Sequence, residues 1–235
     1  MELKALVGRT LAPLLLSSAT VVDVTAPGPR FRRLRLALDG PPRTPFAPGD
    51  KVQVLLPDAM RTYTPFAFDA RVDERAFSLL LFAHGDTPAS RFARSVVVGA
   101  PLRVMGPQAS LPLSAHSGPA VLVGDETSLA VASALVTSRA TGAGRVVLEV
   151  QDPDEVSGLL PGLGLDTCTT LVRRRDDDGH LDEVVDAVVA DVASARVFLV
   201  GRAPAIHRVQ RGLRARHIDV TKTRAYWAPG KRGLD

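Results

Sequence analysis

Near residue 118 the hydrophobic pattern of this chain changes period, and that change limits what each half can become. Before it, apolar residues alternate in short runs at 19–25, 30–38, 51–56, 63–69, 77–82 and 102–105. Pro-Gly-Pro at 27–29, Gly-Pro-Pro at 40–42 and Pro-Gly-Asp at 48–50 separate them, so they read as strands joined by tight turns. In the run 30–38 the residues Leu34, Leu36 and Leu38 form one buried face, with arginines turned to water or a ligand. Six such strands predict a small antiparallel Greek-key β-barrel, interrupted by one helical signal over 88–95. After residue 118 the run Ala120-Val-Leu-Val-Gly124 is continuously apolar, as in a strand buried on both faces. A helix over 126–139, strands at 145–151 and 168–173, a helix at 180–192, a strand at 196–201 and a helix at 203–217 complete an alternating pattern. Alternation of this kind predicts a parallel sheet. The fold class is therefore β followed by α/β, with domains over 1–115 and 118–235 joined through a Ser/Gly/Pro stretch.

Composition narrows the partners. The net charge of +4 comes from Arg far more than Lys, which suits fixed contacts to phosphates or carboxylates. Aromatic residues are few and none interleave with a basic strand, which speaks against nucleic acid. Cys168, the one cysteine, rules out an intrachain disulfide and reads as a small core residue, consistent with the cytoplasm. The five histidines show no metal-ligand spacing, so no protein-held metal is expected. The first 20 residues superficially resemble a signal peptide, but Pro13 breaks a short apolar run, and a surface helix or arm is the expected reading. No window approaches the length of a membrane span.

Four stretches could carry chemistry. Arg61-Thr62-Tyr63-Thr64 presents a guanidinium, a phenol and two hydroxyls at a strand edge. Arg61 could neutralise a phosphate, Tyr63 could lie against a flavin face and Thr64 could bond a polar ring atom, or the four could simply edge a strand. The run from His84 to Ser90 passes through Gly85 into a helix beginning at Pro88, where the N–H groups of Ala89 and Ser90 and the Ser90 hydroxyl could bind a pyrophosphate. A capped surface helix is the alternative. Gly124-Asp125-Glu126-Thr127 closes the first strand of the second half, where open α/β sheets bind ligands, although two carboxylates there also compensate a helix dipole. From Arg208 to Arg232 eight basic residues face one acid, Asp219. They form either a steering surface for an anionic iron chelate or NADPH phosphate, or a solvated helix face and tail. Beside them Tyr226 adjoins Trp227, the one tryptophan.

In this order the stretches resemble the siderophore-interacting protein family of FAD-dependent ferric-siderophore reductases, within the ferredoxin-reductase-like superfamily. The marks are Arg61-Thr-Tyr-Thr64 like the family's R-x-Y-T, His84-Gly-Asp-Thr-Pro-Ala-Ser90 like its H-G-x-x-P-A-S, Gly124-Asp-Glu-Thr127 like its G-D-E-T, and the aromatic pair Tyr226-Trp227. The resemblance implies FAD held by Arg61, Thr62, Tyr63, Thr64, His84, Pro88, Ala89 and Ser90, with Thr127 beside the flavin. It implies a nicotinamide site at Gly124, Asp125, Glu126, Tyr226 and Trp227, and a ferric siderophore on Lys222, Arg224, Lys231 and Arg232. The electron donor implied is NADPH or NADH, with reduced ferredoxin as an alternative. The resemblance implies that the flavin carries the redox chemistry and that no side chain need act as acid, base or nucleophile, and a cytoplasmic monomer is the expected form. One departure is visible: Pro65-Phe66-Ala67 stands where many members carry a basic residue near the flavin phosphates. A general NAD(P)H-flavin or ferredoxin-type reductase, and a non-catalytic siderophore or nucleotide carrier, are the competing expectations.

Overall fold

The computed structural model describes residues 16–56, 59–67, 75–115, 118–139, 143–191 and 195–231. The expected arm over most of the first 20 residues, and Arg232, lie outside them. The chain divides into two compact units between Ala109 and Ser110. The expected junction was 114–119, but Leu111 and Leu113 are buried and Arg139 donates to the carbonyl oxygens of Leu113 and Gly118 at 3.0 and 2.6 Å. These bonds tie the connecting stretch to the second unit.

The first unit contains β1 (Leu16–Gly28), β2 (Phe31–Leu38), β3 (Lys51–Leu55), β4 (Met60–Tyr63), β5 (Ala76–Phe82), helix α1 (Pro88–Ser95) and β6 (Pro101–Gln108). The strands form one antiparallel sheet in the order β4-β3-β6-β1-β2-β5. Phe66 and Ser78 exchange backbone hydrogen bonds at 3.0 and 2.9 Å, joining the end beyond β4 to β5 and closing a barrel. The alternation foreseen in β2 holds: Leu34 and Leu36 are fully buried beside Val52, Val54, Phe77 and Leu79. β4 begins three residues before its predicted start, because the Met60–Tyr63 segment pairs with Val52–Leu55 of β3 rather than continuing through Pro65, which lacks a donor.

The second unit runs β7 (Ala120–Gly124), a 3-10 turn (Glu126–Ser128), α2 (Leu129–Thr137), β8 (Gly144–Val150), α3 (Pro153–Leu163), β9 (Thr169–Arg173), α4 (His180–Asp191), β10 (Arg196–Arg202), α5 (Ala203–Arg214) and β11 (Val220–Trp227). Its five strands are parallel in the order β11-β10-β7-β8-β9. α4 and α5 pack on the face carrying Val121, Val123, Val147, Val197 and Leu199. The intervening residues Leu122, Leu148 and Phe198 are buried on the other side, which explains the unbroken apolar runs.

Two elements here escape the periodic reading. α3 contains Gly158, Pro161 and Gly162, which weaken its helical signal; Asp152 caps it by accepting from the N–H groups of Asp154 and Glu155, and Gly164 ends it at φ 69°. β11 is a polar edge strand with Lys222 and Arg224 exposed, so it lacks the apolar run of a central strand. No helix among the described residues is long and apolar enough to cross a membrane.

Burial on both faces has a measurable consequence. Leu122→Ala is expected to cost about 2–5 kcal/mol in urea unfolding, because a fully enclosed side chain leaves a cavity. Val22→Ala, on an exposed barrel position, should change stability by no more than about 0.5 kcal/mol. Equal losses would contradict the packing described.

Candidate functional site

On the barrel, the first candidate group lies along the edge strand β4 and just beyond it. Arg61 pairs with Val54 of β3 and Tyr63 with Val52, so both side chains belong to the same face of the strand. Arg61 donates one guanidinium N–H to its neighbour Met60's carbonyl at 2.8 Å, which holds the head group against the strand. Tyr63 packs on the barrel core, and burial pushes its phenol up to about 12 against the lowering effect of Arg61. Its hydroxyl carries its proton at neutral pH and can donate a hydrogen bond. Thr62 is exposed and Thr64 half-buried. Beyond them Phe66 fills the place of the basic residue noted above, and the Arg33 guanidinium from β2 lies 5.3 Å from the centre of its ring.

The second group is the turn from β5 into α1. Thr87 caps the helix, Pro88 occupies its first turn and no acid stands there. The Ser90 N–H donates to the Thr87 hydroxyl at 3.1 Å, and the Ser90 hydroxyl donates to the His84 carbonyl at 2.8 Å. Ser90 is also completely buried. This corrects the expectation that its amide and hydroxyl stand free for an anion: both are spent on shaping the loop. Ala89 packs on the same core as Tyr63 and its N–H is not used by that cap, while the His84 ring stacks on Phe82 at 5.5 Å. The donors offered by the barrel are a guanidinium, a protonated phenol, threonine hydroxyls and a helix whose first turn carries no acid, the Asp86 carboxylate before it being paired with Arg91 and Arg94 at 3.3 and 3.5 Å. That set fits the anionic, polar-ringed FAD.

In the second unit the predicted residues gather at the carboxyl ends of the strands. Gly124 has no room for a side chain, since a Cβ there would stand 2.4 Å from the Ser128 hydroxyl. That hydroxyl accepts from the Asp125 N–H while the Asp125 carboxylate accepts from the Thr127 N–H and hydroxyl at 2.8 and 2.5 Å. Asp125 Oδ2 accepts the indole N–H of Trp227 at 2.8 Å, so the ends of β7 and β11 are joined. Burial raises the Asp125 carboxyl above its ordinary range, opposed by these hydrogen bonds.

Glu126, equally buried, accepts from the Gln151 N–H at 2.7 Å and from Arg174 at 2.6 Å. Lys222, Arg224 and Lys231 are exposed. The wider cationic surface is partly neutralised: Arg208 pairs with Asp182 at 3.1 Å and Arg216 with Asp186 at 2.6 Å, acids supplied by α4.

Next to these lies a charged cluster that motif reading missed. Glu149 of β8 is buried and accepts from Arg202 at 2.8 and 3.0 Å, with Arg174 3.6 Å away. Arg202 also reaches Asp178 at 2.5 Å. The Arg175 N–H donates to His180 Nδ1 at 3.1 Å, which leaves the ring proton on Nε2 to donate to Glu149 at 2.5 Å. One possible ligand atom from each of Glu149, Asp178 and His180 lies within 4.8 Å of the others, and the Arg202 guanidinium supplies positive charge to both carboxylates. Burial alone would lower Arg202, but bonds to Glu149 and Asp178 raise it above its usual value, and the same bond holds Asp178 low. One signal was legible, a lone Glu inside the apolar run Val146-Val-Leu-Glu-Val150, since a buried carboxylate requires partners. Arg174 and Asp178, in the charged stretch between β9 and α4, take part in this cluster.

A closed six-stranded barrel followed by a five-stranded parallel sheet has the fold plan of ferredoxin reductases, and the donor set on the barrel fits FAD. The model of the siderophore-interacting FAD-binding domain matches residues 56–111, and that of siderophore-interacting protein matches 119–230. The chain belongs to the siderophore-interacting protein family. No curated protein matches it in sequence. Among solved structures, siderophore-interacting protein SipS from Aeromonas hydrophila is similar at TM-score 0.70 and 24% identity, with 92% of each chain covered. A siderophore utilization protein from T. fusca gives 0.70 and 23%, covering 94% of this chain and 96% of that one. Phthalate dioxygenase reductase gives 0.72 at 13%, covering 95% and 71%. At these identities the likeness speaks for the fold.

The raised Asp125 carboxyl sets a pH dependence. Because the native state keeps this proton to higher pH than the unfolded chain, stability should fall as pH rises from about 3.9 through the native value. Asp125→Asn should lose that contribution to the slope, as read from thermal midpoints of both proteins between pH 4 and 8. Parallel curves would mean that the native carboxyl is not raised.

Proposed function

We propose that this protein reduces ferric siderophores and releases iron as Fe(II), using FAD as cofactor and NADPH or NADH as electron donor. The observation that carries the reading is Arg61 and Tyr63 side by side on one face of the end strand of a barrel whose residues 56–111 match the siderophore-interacting FAD-binding domain. Bound FAD would supply the conversion of a two-electron donor into single electrons for iron, which no amino-acid side chain performs. Overall, one nicotinamide nucleotide reduces two Fe(III) chelates.

The chain's own residues bind and orient. Arg61 neutralises a cofactor phosphate, Tyr63 and Thr62 supply hydroxyl donors and Thr64 bonds the ring system. His84, Pro88, Ala89 and Ser90 shape the turn beside the diphosphate, with Ser90 acting through the loop it holds. Thr127 is the cofactor contact proposed in the second unit. Gly124, Asp125, Glu126, Tyr226 and Trp227 form the nicotinamide site. Lys222 and Arg224, exposed two residues apart on β11, attract an anionic chelate with Lys231, and Arg232 extends the same charge in sequence. The single cysteine agrees with a reducing, cytoplasmic setting, and the proposed working form is a monomer.

The test is an anaerobic assay with purified protein, FAD and a ferric siderophore, following Fe(II) capture with NADH and NADPH separately. Siderophore-dependent oxidation of either nucleotide is the expected result. Nucleotide oxidation indifferent to the siderophore would favour a general flavin reductase, and Fe(II) formed only with reduced ferredoxin would replace the donor. A protein that binds the chelate without turnover would be a carrier. Arg61→Ala is expected to weaken FAD binding about tenfold or more, and unchanged affinity would remove Arg61 from its role.

A further inference from the structure

Three of the five large apolar side chains exposed among the described residues stand in one region of the barrel. Leu55, at the end of β3, is 43% exposed, and Val97 and Val98, in the turn after α1, are 63% and 60% exposed. Leu55 and Val97 rim an open groove of about 500 Å³, and the more deeply placed Leu56, Phe92, Val96 and Leu102 form its floor. The turn that carries the two valines is pinned to β1: the Gly99 N–H donates to the Val21 carbonyl at 2.8 Å, and the Val21 N–H donates to the Ala100 carbonyl at 3.0 Å. Apolar side chains held outward at a fixed place form a patch that lacks its cover.

The lining selects the chemistry of the occupant. Its one polar side chain, Ser95, already donates to the Arg91 carbonyl at 3.1 Å. No charged side chain lines the groove among the described residues, so a phosphate or carboxylate would enter it without a partner. An apolar segment enters without that cost.

Such a segment adjoins the groove in the chain. Residues 1–15 precede β1, and in them Leu3, Leu6, Val7 and Leu11 follow the i, i+3, i+4, i+8 spacing of an apolar helical face. Leu16, where β1 begins, pairs with Met105 of β6, and Thr20 pairs with Pro101, which lines the groove. The step back along the strand from Leu16 is about 13 Å. Fifteen residues can span about 50 Å when extended, so the segment reaches the groove with length to spare.

We infer that residues 1–15 fold back over β6 and seat the side carrying Leu3, Leu6, Val7 and Leu11 in this groove. The seated arm covers Leu55 and Val97. It rests on Phe92 and on Val96, the C-terminal cap of α1, at the end of that helix opposite the turn proposed to meet the cofactor.

Cys168 is the one cysteine, so Cys168→Ser clears the chain for a single label at Val97→Cys. A polarity-sensitive fluorophore there is expected to emit further to the blue than the same label in a chain lacking residues 2–14. Leu6→Asp combined with Val7→Asp should move the emission to the red as the deletion does, with circular dichroism showing that the fold is kept. A short bismaleimide is expected to join Leu6→Cys to Val97→Cys within one chain, and not to join Leu6→Cys to a cysteine at exposed Val189 on α4. The point substitutions and the cross-link do not depend on the shortened chain folding. Emission that is the same with and without the arm would overturn the proposal. Links formed only between chains would give the groove to a second copy, and a blue shift seen only with anionic phospholipid vesicles would give it to a membrane surface; either result overturns the seating of the arm.

Discussion

Glu149 lies in a strand buried on both faces, where an unpaired carboxylate would cost several kcal/mol. Its partners determine the end of the sheet. Arg202 fixes the end of β10, Arg174 the end of β9 and His180 the start of α4, all converging on one carboxylate of β8. Glu126 draws in Arg174 from the β7 side and so ties a third strand to the same group. The result is a hydrogen-bonded cluster of three carboxylates and two guanidiniums at the end of the sheet where the donor is proposed to bind. Asp125 stands apart from this network and makes its link to β11 through one indole.

The two units divide the work by the kind of surface each offers. The barrel presents a guanidinium and neutral donors on β4 and a helix with no acid in its first turn, which suits a large anionic cofactor. The parallel sheet presents carboxylates at its switch point and exposed cations on its edge strand. In the proposed function the carboxylates meet the ring end of a nicotinamide nucleotide rather than its phosphates, and Lys222 and Arg224 attract an anionic chelate. The Arg33 guanidinium over Phe66 also brings positive charge near the position where the R-x-Y-T stretch lacks its usual basic neighbour.

Much of this architecture was legible from periodicity. The alternation of Leu34, Leu36 and Leu38 and the unbroken run from Ala120 to Val123 each reported one local burial pattern, and both patterns are present. α3 was hidden because Gly158, Pro161 and Gly162 dilute its signal, and its stability comes from Asp152 and Gly164 at the ends. β11 was hidden because an edge strand needs few apolar residues. The motifs marked where chemistry gathers, but their internal bonding was out of reach: whether the Ser90 hydroxyl faces a ligand or His84 depends on the loop's path. The Glu149 cluster draws on four separate segments, so no spacing in the chain announces it.

All of the redox reading requires that the barrel take up a flavin. Titrating the flavin-free protein with FAD, while following the flavin's fluorescence and visible absorbance, measures this directly. The account requires saturation at one FAD per chain, with fluorescence quenched and the visible band altered by a structured site. A protein that stays colourless and leaves the fluorescence of added FAD unchanged would contradict it.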